Sequence, residues 1–348
     1  MKSAGEIDKN FQIEKKVLRN DLVYYDATAF DVYGVQYADG LYRRMPDEYA
    51  RTVSENVGII AKECAGGRVR FATDSPFVAI FVKYAAVAKV PNYSFTATMG
   101  FDLYAGKRYI GAFVPALDTM DEYEGILDIR DLDGVQTYTL NLPICSQIQE
   151  IRIGVKAGSV ITNAPKYTMP TPVVFYGSSV TQGACASRPG NTYENMLSRA
   201  FDCDYVNLGF WGNALGEERM AEYIAKMNAS LFVYDYDYNA PNVEHLQATH
   251  EKMFKIIRAA QPNLPIIMLS APICYPSKVD RERENVIKTT YENALAGGDK
   301  NVAFLSGAEM ISSVADRALA DNIHPADVGF AAIAEQIGEK MKQMIKEK

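Results

Sequence analysis

The sequence predicts an α/β protein of two domains: a β-sandwich, then a parallel sheet covered by helices on both faces. Three observations predict this. The chain has 348 residues, enough for about two domains. Its hydrophobic pattern changes part-way along, from short alternating runs to strand–helix alternation. Between the two patterns, Gly158, Asn163, Pro165, Pro170 and Pro172 make a turn-rich connection. The expected boundaries are a sandwich over 1–158, a linker over 159–172 and an α/β domain over 173–348.

The sandwich is read from short strands at roughly ten-residue spacing. Val69 to Thr73 stops at Asp74-Ser75-Pro76, and Phe77 to Tyr84 follows. Tyr93 to Met99 alternates aromatic and small polar residues and is expected as a strand. Phe101 to Tyr104 and Arg108 to Phe113 flank a turn and read as a hairpin. Gln136 to Leu142 and Ile148 to Val155 complete the set, and Asp47 to Ala61 is expected to be helical. After Pro172 come five short apolar strands: Val173 to Tyr176, Asp204 to Leu208, Leu231 to Tyr236, Pro265 to Ser270 and Val302 to Leu305. Helical stretches fall between them, and a final helix runs from about Ala326 into the Lys-rich end. Continuous apolar strands alternating with helices mean a parallel sheet buried on both faces. Ligands of such sheets sit beyond the carboxyl ends of the strands.

Composition excludes several classes. Hydrophobic residues at 48% and charged residues at 23% are those of a globular protein. With 36 basic and 43 acidic residues the net charge is −7, and no basic stripe offsets it. Nucleic acid and anionic membranes are therefore not expected partners. The 22 tyrosines suit half-buried sheets; sugar contact is the other reading. The five cysteines lack C-x-x-C spacing, so reduced thiols are expected rather than disulfides or a thiolate zinc site. The first sixteen residues are polar, which predicts no signal peptide and a cytoplasmic location. The longest apolar stretch, Phe77 to Val90, is interrupted by Lys83 and Lys89 and is too short to span a bilayer.

Four constellations carry chemistry. Tyr176-Gly177-Ser178-Ser179 follows the first parallel strand, where a serine is exposed beside its own N–H. Nucleophilic catalysis needs that arrangement, although serines also cap helices. Asn207-Leu208-Gly209-Phe210-Trp211 follows the second strand. A glycine there lets a backbone N–H approach a substrate oxygen, or simply makes a turn. Asp235-Tyr236-Asp237-Tyr238-Asn239 follows the third strand. The Asn239 amide could donate to an oxyanion or form an Asx turn before Pro241. Asp321-Asn322-Ile323-His324-Pro325 precedes the last helix, and an Asp three residues before a His can fix its tautomer. His245 and His250 lie on a polar helical face and are expected to be solvated.

In this order, Gly177-Ser178-Ser179, Gly209, Asn239 and Asp321-x-x-His324 resemble the four blocks of the SGNH (GDSL-like) hydrolase superfamily. Ser178 stands where many members have Asp, and Asp237 where many have Gly. In the first half, Gly100-Phe101-Asp102-Leu103-Tyr104 and Tyr42-Arg43-Arg44-Met45-Pro46 resemble the sandwich found before some bacterial SGNH domains. The resemblance implies a flavodoxin-like three-layer catalytic domain behind a jelly-roll-like sandwich. It also implies carbohydrate O-acetylesterase activity, including that of intracellular enzymes acting on acetylated mannan oligosaccharides. On that pattern Ser179 is the nucleophile, His324 the base and Asp321 its orienter. The N–H groups of Ser179 and Gly209 and the Asn239 amide form the oxyanion hole. Trp211, Asp237 and Tyr238 are candidate substrate contacts, Trp211 equally as a packing residue. No metal or organic cofactor is expected; the expected partner is an acetylated carbohydrate, and homo-oligomerisation is left open. The competing readings are an esterase, lysophospholipase or thioesterase on non-sugar esters, and a non-catalytic carbohydrate-binding protein. The sandwich is expected to cover the acceptor side of the pocket.

Overall fold

The computed structural model describes residues 2, 4–9, 13, 16–129 and 131–345. The expected character of the first sixteen residues falls partly outside these, as does the end of the Lys-rich tail. After a one-turn helix α1 (Ala4–Ile7), the sandwich begins with β1 (Leu22–Asp26), β2 (Asp31–Tyr33) and a small hairpin of β3 (Gln36–Ala38) and β4 (Leu41–Arg43). Two short helices, α2 (Asp47–Val53) and α3 (Glu55–Ile60), follow. Then come β5 (Arg68–Thr73), β6 (Phe77–Ala86), α4 (Phe95–Thr98), β7 (Phe101–Ala105), β8 (Arg108–Phe113) and β9 (Glu122–Asp128). β10 (Gln136–Asn141), β11 (Gln147–Lys156) and β12 (Ile161–Asn163) finish the domain. One antiparallel sheet has the order β1-β11-β6-β9; the other has β12-β5-β10-β7-β8, with β2 also on β5. Inward residues of both sheets, among them Phe71, Ile80, Leu103, Leu140 and Ile151, form one core, as alternating strands require.

The second domain opens with β13 (Met169–Gly177) and continues with α5 (Ser179–Gln182), α6 (Tyr193–Phe201), β14 (Cys203–Gly209), α7 (Glu218–Ala225) and β15 (Leu231–Asp235). It ends with α8 (Val243–Ala260), β16 (Ile266–Leu269), α9 (Lys278–Ala296), β17 (Val302–Leu305), α10 (Gly307–Met310) and α11 (Asp327–Ile345). All five strands are parallel, in the order β14-β13-β15-β16-β17. Alternate residues serve opposite faces. Val173, Phe175, Leu231 and Val233 pack with α6 and α11 residues, whereas Val174, Tyr176, Phe232 and Tyr234 pack with α7 and α8 residues. Burial on both faces is why these strands are apolar throughout. Sequence signals set the helix starts: Asn242 caps α8, and Ser277 with Asp280 forms a capping box on α9.

The structure corrects the expected linker. β12 pairs with β5 and β13 already pairs with β14 at Met169, so the connection is confined to 164–168. Tyr93 to Met99 is a loop and the one-turn helix α4, not a strand. Its backbone turns back on itself, with the Ala97 and Thr98 N–H groups donating to Ser94 O, and Ser94 Oγ donates across the domain junction to Ser187 O. His250 is buried, not solvated. Its ring stacks on Tyr234 and Tyr236 and Nδ1 meets Thr290 Oγ1 at 2.8 Å, so burial pushes the imidazole down to about 3. Helix α9 covers what looked like an open polar face. His245 is partly buried, its Nε2 against Leu215 O. All five cysteines are free thiols. No helix among the described residues is long and apolar enough to cross a membrane.

Candidate active site

The site is built at the end of β13. A Cβ on Gly177 would lie 1.8 Å from Asp235 Oδ1, so only glycine lets the two strand ends approach. Asp235 uses that closeness, accepting the Ser178 N–H and the Thr181 hydroxyl. Ser178 is buried, and its Oγ caps α5 by accepting the Val180 N–H at 3.1 Å. The next residue, Ser179, turns its hydroxyl outward, with Oγ 2.9 Å from His324 Nε2. As the first residue of a helix, its N–H has no intrahelical acceptor.

The spacing Asp321-x-x-His324 closes a tight loop. Asp321 Oδ1 accepts the N–H groups of Ile323 and His324, and Oδ2 lies 2.8 Å from His324 Nδ1. Burial raises the Asp321 carboxyl, but the hydrogen bonds from His324, Ile323 and Asn92 outweigh it and hold the group well below the usual carboxylate range. Ser179, His324 and Asp321 thus form one continuous hydrogen-bonded chain. The fourth partner comes from the sandwich: Asn92 Nδ2 donates to Asp321 Oδ2 at 2.7 Å. The adjoining Tyr93 sets its ring edge-on to the His324 ring, with centroids 5.7 Å apart. Sequence reading did not find Asn92 or Tyr93, because nothing local marks a contact spanning 229 residues.

The turn after β14 requires a correction. The Gly209 N–H is not free for an oxyanion; it donates to Asn207 Oδ1 at 2.9 Å. Gly209 is glycine for packing, since a Cβ there would lie 2.3 Å from the Gln182 nitrogen of α5. Three residues on, Gly212 is exposed at φ +70° with open space around it, and its N–H has no acceptor among the described residues. Asn239 Nδ2 donates to Phe210 O at 3.1 Å, which holds its amide against that same turn. Ser179 N–H, Gly212 N–H and the second Asn239 N–H are the unoccupied donors here.

Trp211 is fixed from the sandwich side. Its indole N–H donates to Glu63 Oε2 at 3.1 Å and its backbone N–H to Gln182 Oε1 at 3.3 Å, yet it stays 41% exposed. Burial pushes the Glu63 carboxyl up to about 7, against the pull of the Arg44 guanidinium. Trp211 is the only tryptophan, so its emission is expected to titrate with a midpoint near 7. Glu63→Gln should abolish that titration. The raised value also means that Glu63 favours folding in acid and loses that contribution as pH rises through its folded value.

Asp237 does not serve as a sugar ligand in this arrangement. It is buried, and its two oxygens accept the N–H groups of Tyr238 and Ala271. Tyr238 OH donates to Asp280 Oδ1, in a small cavity shared with Ser270, Arg281 and Glu284 that no triad residue lines. The two sandwich motifs are bolts between the domains. Asp102 is fully buried and accepts from Asn141 Nδ2, Arg188 Nη1 and the Gly190 N–H. Arg44, also buried, donates to the carbonyls of Ile60, Glu63 and Gly209, so the sandwich grips the turn after β14. One metal-capable trio occurs among the described residues: ligand atoms of Cys185, Asp321 and His324 lie within 4.8 Å of one another. The His–Asp hydrogen bond already engages two of them, so a cation there would compete with it.

A family model described as a GDSL-like lipase/acylhydrolase family matches residues 170–342. A second, the N-terminus of SGNH-hydrolase-type esterases, matches residues 22–161. The chain belongs to the GDSL-like lipase/acylhydrolase family. Membership makes it a carboxylic ester hydrolase. None of the curated proteins matches the sequence. Among solved structures, a protein described as a GDSL-like lipase from Bacteroides ovatus ATCC 8483 is 24% identical, with TM-score 0.84 over 93% of this chain and 98% of its own. The salicylyl-acyltransferase SsfX3 of a tetracycline biosynthetic pathway is 22% identical, with TM-score 0.76 over 94% of this chain and 98% of its own. The acetyl xylan esterase Est2A from the rumen bacterium Butyrivibrio proteoclasticus is 14% identical, with TM-score 0.61 over 93% of this chain and 99% of its own. These likenesses show that the sandwich and the GDSL-like domain occur together as one fold.

Proposed function

We propose that this protein is a serine esterase that removes O-acetyl groups from carbohydrate, with acetylated oligosaccharides such as manno-oligosaccharides as substrate. The observation that carries the reading is the unbroken Ser179–His324–Asp321 chain at the carboxyl end of β13. Ser179 Oγ attacks the ester carbonyl carbon while His324 Nε2 takes its proton. Charge that develops on the carbonyl oxygen is received by the N–H groups of Ser179 and Gly212 and by the Asn239 amide. The tetrahedral intermediate collapses, the C–O bond to the sugar breaks, and His324 returns the proton to the departing hydroxyl. Water then attacks the acetyl-enzyme by the same route in reverse and releases acetate. Asp321 keeps the Nδ1 proton in place throughout. The exposed Trp211 ring, held beside the oxyanion turn by Glu63, is the surface on which a sugar face stacks.

Asn239→Ala should lower kcat about 10²–10³-fold, as for a lost oxyanion donor. A change confined to KM would make Asn239 a substrate-positioning residue instead. Asn92 acts through Asp321, and misplacing a catalytic group costs up to about 100-fold. Asn92→Ala is therefore expected to lower kcat by about 10–100-fold on p-nitrophenyl acetate, with KM little changed. Substrate class is tested by comparing acetyl with octanoyl p-nitrophenyl esters, then acetylated manno-, xylo- and cello-oligosaccharides. Acetyl preference and faster turnover of a sugar ester support the reading. Octanoyl preference with no sugar-ester turnover would make the enzyme a lipid-type esterase or thioesterase.

A further inference from the structure

A second cavity, of about 220 Å³, lies between the sandwich and the α/β domain, and no triad residue lines it. Arg68, Arg70 and Lys107 reach it from the sandwich and Arg199 from α6, with Asp202 the one carboxylate. This is a concentration of positive charge in a chain of net charge −7. Arg68 is fully engaged, donating to Tyr167 OH, the carbonyls of Gly66 and Tyr205, and Asp204 Oδ1. Arg70 and Arg199 are not. Arg70 is only 7% exposed, yet its Nε and Nη1 have no hydrogen-bond partner, and the same holds for the buried Nη1 of Arg199. The nearest acid, Asp202, stands 3.9 Å from Arg70 Nη2, too far for a hydrogen bond. Aromatic rings hold both guanidinium groups in place: Arg70 lies 3.9 Å over Tyr167 and Arg199 4.2 Å over Tyr104. Burial without a partner costs more than any other state of a charged donor, and the planar guanidinium matches an oxyanion in shape and charge. One acceptor joins them. Asn141 Oδ1, from another lining residue, is also buried without a partner and calls for a hydroxyl donor.

We propose that this cavity binds a small oxyanion bearing a hydroxyl, a phosphate group either free or carried on a sugar, which bridges the domains through Arg70 and Arg199. The volume lies below the ~300–1,000 Å³ of ordinary small-molecule sites, which suits a phosphate with little attached. The ligand pairs the unmatched guanidinium groups, one from each domain, and supplies an O–H to Asn141. It thereby stabilises the junction that also holds Asn92 against Asp321. This site is independent of the ester chemistry, and its test does not depend on activity.

The test measures thermal unfolding against inorganic phosphate, mannose 6-phosphate and sulfate, with ionic strength held constant by chloride. Phosphate or its sugar ester should raise Tm with a saturating concentration dependence, as binding to the folded state requires. Response to inorganic phosphate identifies the free ion; response to mannose 6-phosphate alone identifies the ester. Sulfate, which has no hydroxyl, should stabilise less than whichever of the two binds. The double variant Arg70→Met/Arg199→Met should lose the saturating response, and its circular dichroism and cooperative unfolding transition report that it has folded. Should the double variant not fold, Arg199→Met alone and the ³¹P line width of phosphate with the unaltered protein provide the same comparison. A Tm rise that is linear in salt, equal for sulfate, or unchanged in the Arg variants is a general salt effect and would overturn the proposal.

Discussion

Replacing Ser179 with Ala is expected to lower kcat on p-nitrophenyl acetate by about 10⁶-fold, the scale of losing a triad nucleophile. The geometry makes the expectation specific. Two serines stand side by side, but Ser178 is buried as a helix cap and only Ser179 presents Oγ to His324. Ser178→Ala should therefore retain turnover and cost only about 1 kcal/mol of stability. Steady-state kinetics with urea unfolding of both variants separates the two. An active Ser179→Ala beside an inactive Ser178→Ala would exchange the roles of the two residues.

The second large effect is expected at Asp321. Asp321→Asn keeps the shape but presents an amide where His324 Nδ1–H needs an acceptor, and a loss of about 10⁴-fold in kcat follows. The hydrogen bonds around Asp321 hold its carboxyl well below the usual range, so it stays ionised at any pH where the enzyme works. Its depressed value also adds stability above the unfolded carboxylate range, which is lost as pH falls through the folded value. Asp321 should therefore contribute no ionisation to the acid limb of kcat/KM. An Asp321→Asn variant with near-normal kcat would remove Asp321 from the mechanism.

The legible parts of the site were those whose geometry is local. Gly177-Ser178-Ser179 follows an apolar strand, and Asp321 closes on His324 within one turn, so each group is marked by its own local spacing. The parallel sheet was legible for a similar reason, since burial on both faces leaves continuous apolar strands. The turn after β14 was half legible. It holds both Gly209 and Gly212, and which N–H remains free depends on the Asn207 side chain folding back onto Gly209. His250 looked solvated because its own helix face is polar, and only the packing of Thr290 from α9 shows otherwise. Asn92, Glu63 and Arg44 were not legible as site residues, because the sandwich delivers them across the junction. The sandwich, expected to cover the acceptor side of the pocket, also contacts the site itself. Through Asn92 it holds Asp321 and through Arg44 the turn after β14, so loosening it should slow simple esters as well as oligosaccharides.

Covalent labelling decides whether Ser179 is a nucleophile activated by His324. The protein is treated with diethyl p-nitrophenyl phosphate, and intact mass and peptide mapping locate the adduct. One adduct per chain is expected, on Ser179, forming far more slowly in His324→Ala and absent in Ser179→Ala. An adduct on Ser178 or elsewhere, or full esterase activity after stoichiometric labelling of Ser179, would contradict it.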